Sequence, residues 1–165
     1  MNRFILIARD LDVTRALVEL ARQPEHHWID LRGDGLRYIP LLGGAGEPLF
    51  RFELPSVWDL IETVQGRAAC DQGDQGEICH ARVGLMPPGG GLPPHFDGID
   101  GRQHRRYQIA LRSESGVRLT VGDETRTPRP GEAWWIDASR THSVVNASPS
   151  DRITILFDTE ARPTP

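Results

Sequence analysis

Lysine is missing altogether: all 19 basic residues of this 165-residue chain are arginine. That absence excludes pyridoxal-phosphate Schiff-base chemistry, the lysine of a phosphate-binding loop and a lysine general base. Any anion the protein binds must be held by arginine, backbone or a metal. Cysteine is scarce. The two present, Cys70 and Cys79, fit neither a C-x-x-C redox pattern nor a zinc ribbon and read as free thiols of a reducing compartment. There is no long apolar run either. The first, Phe4 to Ala8, is cut by Arg9 and Asp10, too short for a signal-peptide core or a membrane span, so the expectation is a cytoplasmic protein with no membrane partner. A net charge of −4 gives no reason to expect nucleic acid. A small ligand is the default.

What is present is an ordinary globular composition, 38% hydrophobic and 25% charged, on a length that suits one domain. No internal repeat is visible, but the texture changes near residue 78. Before it, strand-like "FILIA" and "YIPLL" mix with two helix-like segments, "DVTRALVELARQ" and "PSVWDLIETVQG". The first places Val13, Leu17 and Leu20 at helical spacing; the second offers Ser56 as a cap before Trp58, Leu60, Ile61 and Val64. Cys70 to Glu77, "CDQGDQGE", reads as a loop.

Beyond it the period becomes two. The segments "CHARVGLM", "RRYQIALR", "GVRLTVGD", "GEAWWIDA", "THSVVNAS" and "DRITILFD" follow one another, parted by turn signals such as "SESG" and "RPGE". This is the pattern of an antiparallel sandwich or barrel, whose interior holds the ligand. The expected organisation is a single domain, 1–165, in which residues 1–77 supply helices and strands packed on a β core of residues 78–160.

The stretch "PPGGGLPPHFDG", Pro87 to Gly98, reads as a stiff turn ending in chemistry. His95 and Asp97 leave the same face of an extended segment while Phe96 leaves the other. Gly98 lets the chain turn away. His142, 47 residues further on, could fold back against this pair. Two histidines and a carboxylate with open positions form the facial triad of non-haem Fe(II) oxygenases. Arg152 opens the last strand as an always-charged clamp for a dicarboxylate. Arg106 shares a face with Gln108 and Ala110 and could offer a second anion contact.

Blander readings compete with each. H-x-D is common by chance, His142 could sit in a turn, and Arg152 could be a strand-edge charge. His26, His27, His80 and His104 have no partners at ligand spacing and go to surface or packing. Asp137, Ser139 and His142 could suggest a serine hydrolase, but there is no G-x-S-x-G elbow. Trp134 and Trp135 should point to opposite faces, one into the core and the other toward a pocket. The joint order His-x-Asp, His, Arg on a β-rich chain favours the metal.

With "GLMPPGGGLPPHFDG", "RYQIAL", "LTVGDET", "RPGEAWWIDASRTHSVVN" and "RITILFD" in order, the chain resembles the aspartyl/asparaginyl β-hydroxylase family, which includes bacterial amino-acid and proline hydroxylases. The likeness covers roughly Ile78 to Glu160. It implies a mainly β fold, a double-stranded β-helix (jelly roll, cupin-like) with an N-terminal α/β portion packed on it. It implies Fe(II) and 2-oxoglutarate as cofactor and co-substrate, with His95 and His142 as metal ligands and Arg152 on the distal carboxylate of 2-oxoglutarate. Arg106 would contact co-substrate or substrate. The partners implied are dioxygen and an amino acid or a peptide or protein substrate, hydroxylated at an unactivated carbon. Two departures stand out. The animal aspartyl hydroxylases have glycine where this chain has Asp97, as the proline hydroxylases of the family do, and many members have histidine where Gln108 stands. The rivals are a non-catalytic cupin-like module that binds a metal or metabolite, and a zinc or manganese cupin isomerase or hydrolase.

Overall fold

A computed structural model describes residues 2–30, 32–43, 49–97 and 104–160. Two antiparallel sheets face each other. The larger has the strand order β1 (Phe4–Ala8), β9 (Ala133–Ile136), β6 (His104–Arg112), β11 (Arg152–Glu160), β4 (Glu77–Met86), β3 (Arg37–Leu42), β2 (Ile29–Asp30). The smaller runs β5 (Gly91–His95), β10 (His142–Asn146), β7 (Val117–Val121), β8 (Glu124–Arg126). Helices α1 (Thr14–Ala21) and α2 (Pro55–Gln72) cover the large sheet's outer face.

Alternation sorts the large sheet's side chains into two environments. Tyr107, Ile109 and Leu111 of β6, with Ile153, Ile155 and Phe157 of β11, join Ile61, Val64 and Ala68 of α2 in one apolar cluster. The opposite parity, Arg106 and Gln108 on β6 and Arg152, Thr154 and Asp158 on β11, faces the small sheet. Between the sheets a smaller cluster gathers Phe4, Met86, Leu119, Ile136 and Val144. Trp134 packs against that inner cluster and Trp135 against the outer one, on opposite faces as alternation requires, and neither borders the cavity described below.

The N-terminal segment does not merely rest on the barrel. β1 pairs with β9 and β3 with β4, so both ends of the large sheet are built from it.

Three local expectations need correction. Ser56 does not cap α2 with its side chain: Glu19 of α1 does, accepting bonds from the Ser56 amide (2.9 Å), the Ser56 hydroxyl (2.5 Å) and the Val57 amide. Pro55 occupies the first turn, where a missing N–H costs nothing. Secondly, α2 does not stop at Gly66. The stripe Val57, Ile61, Val64, Ala68 continues past it, and the helix ends at Gly73, whose φ of 66° closes it in the left-handed conformation. Only residues 73–76 of the expected loop are loop.

Thirdly, the proline-rich stretch is more strand than turn. Its turn is confined to Pro87–Gly90, closed by the Gly90 amide on the Pro87 carbonyl at 3.0 Å. A Cβ on Gly90 would lie 2.9 Å from that carbonyl, so only glycine fits. The fully buried Asn146 ties the turn to β10, its side chain donating to the Met86 and Pro87 carbonyls. Gly91 to His95 then forms β5, which tolerates Pro93 and Pro94 because it is an edge strand bonded on one side. Gly98 lies outside the described residues.

Candidate active site

β5 and β10 are register partners at His95 and His142, which sets the two imidazoles side by side with ring centroids 4.3 Å apart. Asp97 follows two residues after His95, and its Oδ2 lies 3.4 Å from Nε2 of His142. One donor atom from each of the three residues falls within 4.8 Å of the other two. The Nδ1 atoms are both spoken for: His95 donates to the Pro93 carbonyl at 2.8 Å and His142 to the Arg140 carbonyl at 2.9 Å. A proton fixed on Nδ1 leaves Nε2 as the free lone pair, as in most metal-binding histidines. This donor set, two nitrogens and one oxygen gathered on one side of a point, suits a divalent metal with positions left open.

The charges fit that use. Proximity to His142 and then Arg106 hold the Asp97 carboxyl down at about 2, against the effect of burial. His142 is pushed above the ordinary imidazole value, chiefly by Asp97. The carboxylate is therefore ionised throughout the neutral range.

Arg106 is more committed than alternation suggests. Its Nε and Nη2 donate to Asp158 at 2.8 and 2.7 Å, and Nη1 meets Asp97. Asp158 is buried on β11, directly opposite Arg106 in register. The guanidinium thus bridges the inner wall of the barrel and the Asp97 carboxylate.

Arg152 lies deeper, in a cavity of about 250 Å³ that continues along the same strands past Leu92 and Val144. It is buried and, among the described residues, pairs with no carboxylate and has one polar partner, the Oε1 of Gln108 at 2.9 Å. Burial alone pulls its pKa down to about 10, so it stays charged at neutral pH. Two strand positions away, the buried hydroxyl of Thr154 has no hydrogen-bond partner among the described residues and borders the same cavity. An unpaired cation beside an unused hydroxyl is a carboxylate-shaped demand.

Sequence reasoning missed Thr154, Asp158 and the cavity residue Arg82. Parity carried the signal: 152, 154, 156 and 158 share one face of β11, and 80, 82 and 84 one face of β4. Of the histidines set aside, His80 lies 3.9 Å from Asp158, His104 meets the Cys79 thiol at 3.6 Å and His27 stacks on Phe50. No hydrolytic triad forms, since Ser139 donates to Asp137 at 2.5 Å while both nitrogens of His142 face other groups.

Solved structures share this fold. An oxidoreductase of the 2OG-Fe(II) oxygenase family from Burkholderia pseudomallei superposes with a TM-score of 0.71 at 16% identity, over 90% of this chain and 77% of that one. A prolyl-4-hydroxylase from Pseudomonas putida gives 0.66 at 15%, over 98% and 94%. A collagen prolyl hydroxylase of Paramecium Bursaria Chlorella virus-1 gives 0.64 at 13%, over 98% and 97%. At such identities the likeness establishes the jelly-roll fold. No curated protein matches the sequence. The profile of the aspartyl/asparaginyl beta-hydroxylase family, however, matches residues 44–162, well over half of the chain. The chain belongs to the aspartyl/asparaginyl β-hydroxylase family and is, by that membership, an Fe(II)- and 2-oxoglutarate-dependent dioxygenase.

Proposed function

We propose that the protein hydroxylates an unactivated carbon of an amino acid, or of an aspartyl, asparaginyl or prolyl residue in a peptide. In this reading His95, Asp97 and His142 hold Fe(II), and Arg152 anchors the distal carboxylate of 2-oxoglutarate. The observation that carries it is the pairing of a three-donor cluster within 4.8 Å with a buried, carboxylate-free arginine in the adjoining cavity. Thr154 would give the same carboxylate a second donor. Gln108 orients Arg152, and Arg106, braced on Asp158, steadies Asp97 and presents positive charge at the metal-side end.

Bound Fe(II) and 2-oxoglutarate supply the oxidation: dioxygen and the keto acid yield succinate and carbon dioxide, and one oxygen atom enters a substrate C–H bond. The chain's residues contribute position and dryness. Carbonyl-held imidazoles fix the donor directions, and Leu36, Leu92 and Val144 line the cavity with apolar surface that keeps water from the reacting carbon. No side chain has to move a proton for the hydrogen abstraction itself.

Residues 78–160 would form the catalytic core and the N-terminal portion the substrate entrance. A cytoplasmic site suits the free thiols of Cys70 and Cys79; among the described residues no helix is long and apolar enough to cross a membrane.

The test is an anaerobic titration of the apoprotein with Fe(II) and 2-oxoglutarate, following the visible charge-transfer band of the chelate. The band is expected in the wild type and absent in His95→Ala. In Arg152→Ala it should form only at much higher 2-oxoglutarate. A wild type that gives no band while folded overturns the assignment.

A further inference from the structure

Five arginines surround the cavity and its metal-side end, and among the described residues their charges do not balance. Arg32 pairs with Asp34 at 2.7 Å and Arg37 with Glu25. Arg106 is taken up by Asp158 and Asp97. Arg152 and Arg82 are left with no carboxylate within ion-pair distance among the described residues. Arg82 is half-buried on β4, borders the cavity, and has the ring of Tyr38 6.0 Å from its guanidinium carbon. Burial first, and then the nearby Arg106, depress its pKa, and the more distant carboxylates of Asp158 and Asp97 oppose that shift without cancelling it, which marks a cation held where a closer negative charge would be welcome.

Two unpaired cations in one cavity call for two anions. 2-Oxoglutarate supplies one free carboxylate, its distal one, and Arg152 takes it in the function proposed above. The keto acid carboxylate and Asp97 together neutralise a divalent metal, and Asp158 offsets Arg106. Among the described residues, the metal and the co-substrate, the positive charge on Arg82 is the one left over, since Asp158 and Asp97, though near it, are already engaged with Arg106 and the metal. Register separates the two sites. Arg152 stands opposite Met86, four residues along β4 from Arg82, whereas Arg82 lies one row from the Arg106–Asp158 pair, toward the metal.

We propose that Arg82 is the residue that selects the substrate, by pairing with a substrate carboxylate at the metal-side end of the cavity against the Tyr38 ring. This rests on the function proposed above. The carboxylate could be the α-carboxylate of a free amino acid or the side chain of an aspartyl residue in a peptide, and one experiment separates the two.

Protein loaded anaerobically with Fe(II) and 2-oxoglutarate is titrated calorimetrically with L-proline and L-prolinamide. The same is done with a peptide blocked at both ends that carries aspartate, and with its asparagine counterpart. The wild type is expected to bind the acid of one pair at least about tenfold more tightly than its amide, as a charged hydrogen bond allows. Preference in the first pair identifies the α-carboxylate, and preference in the second the side chain. Arg82→Gln should weaken that acid to the level of its amide while the amide and 2-oxoglutarate bind as before. Arg82→Met, which keeps the bulk of the stem, should behave alike and stands in if the glutamine variant does not fold. The proposal is overturned if neither acid is preferred, if a variant keeps the preference, or if 2-oxoglutarate affinity falls instead, which would make Arg82 a co-substrate residue. Failure of the wild type to bind Fe(II) and 2-oxoglutarate at all would be a failure of the proposed function, and is seen before any acid is added.

Discussion

Asp97 is gripped from two sides, by His142 and by Arg106, and Arg106 is itself gripped by Asp158. Losing an outer partner of a metal ligand typically costs ten- to a hundredfold in metal affinity. Asp158→Asn should therefore weaken Fe(II) binding by roughly tenfold without touching a ligand, measured by competition with a chelating dye; unchanged affinity would mean that Arg106 does not steady Asp97. Asp97→Gly should bind Fe(II) more weakly yet keep part of the turnover, because the animal relatives resembled by this chain do without the carboxylate. Wild-type metal affinity in that variant would remove Asp97 from the ligand set. pH has a definite sign here. A metal displaces the proton from imidazole, and Asp97 raises the His142 pKa in the metal-free protein. Fe(II) affinity should fall as pH drops through that raised value, while Asp97, at about 2, stays ionised. Affinity flat from pH 8 to 5.5 would exclude histidine ligation.

Helix α2 owes its start to a neighbour. Glu19 of α1 supplies the capping carboxylate that α2's own sequence does not, since the residue before Pro55 is leucine. Glu19→Ala should cost about 1 kcal/mol, the usual worth of a cap, whereas Ser56→Ala should cost less because its amide keeps the bond; equal losses in thermal unfolding would contradict this. Strand β5 shows the same dependence on surroundings. Two prolines in a row argue against a strand, and the argument fails here because β5 needs ladder bonds only toward β10. On the central strands the reverse holds: β6 and β11 have partners on both sides, contain no proline, and their period of two was plain.

At the scale of the molecule, one buried carboxylate ties the end of α2 to the central strands. Asp74 accepts from the Tyr107 hydroxyl at 2.5 Å, the Thr159 hydroxyl at 2.7 Å and the Gly76 amide at 2.9 Å. Burial works against its charge, but these donors win and its pKa lies below the ordinary value. A carboxyl depressed on folding contributes stability above its unfolded pKa of about 3.9 and loses it as pH falls through the folded value. Asp74→Asn should thus cost about 1–3 kcal/mol at pH 7 by urea unfolding, with the gap closing in acid. A loss independent of pH would point to shape rather than charge.

The sequence by itself determined the strands β4, β6, β7, β9, β10 and β11, the opposite faces of Trp134 and Trp135, and the His95, Asp97 and His142 cluster with Arg152 behind it. Each of these follows from local alternation or from spacing that a β-sandwich brings together. Only the tertiary structure decided which arginines are already paired, that Thr154 has no partner among the described residues, that Glu19 caps a helix 37 residues away, and that the N-terminal strands extend the large sheet. Those facts depend on register between segments far apart in the chain. A side chain's own neighbours in sequence say which face it takes, but not whose carboxylate waits there.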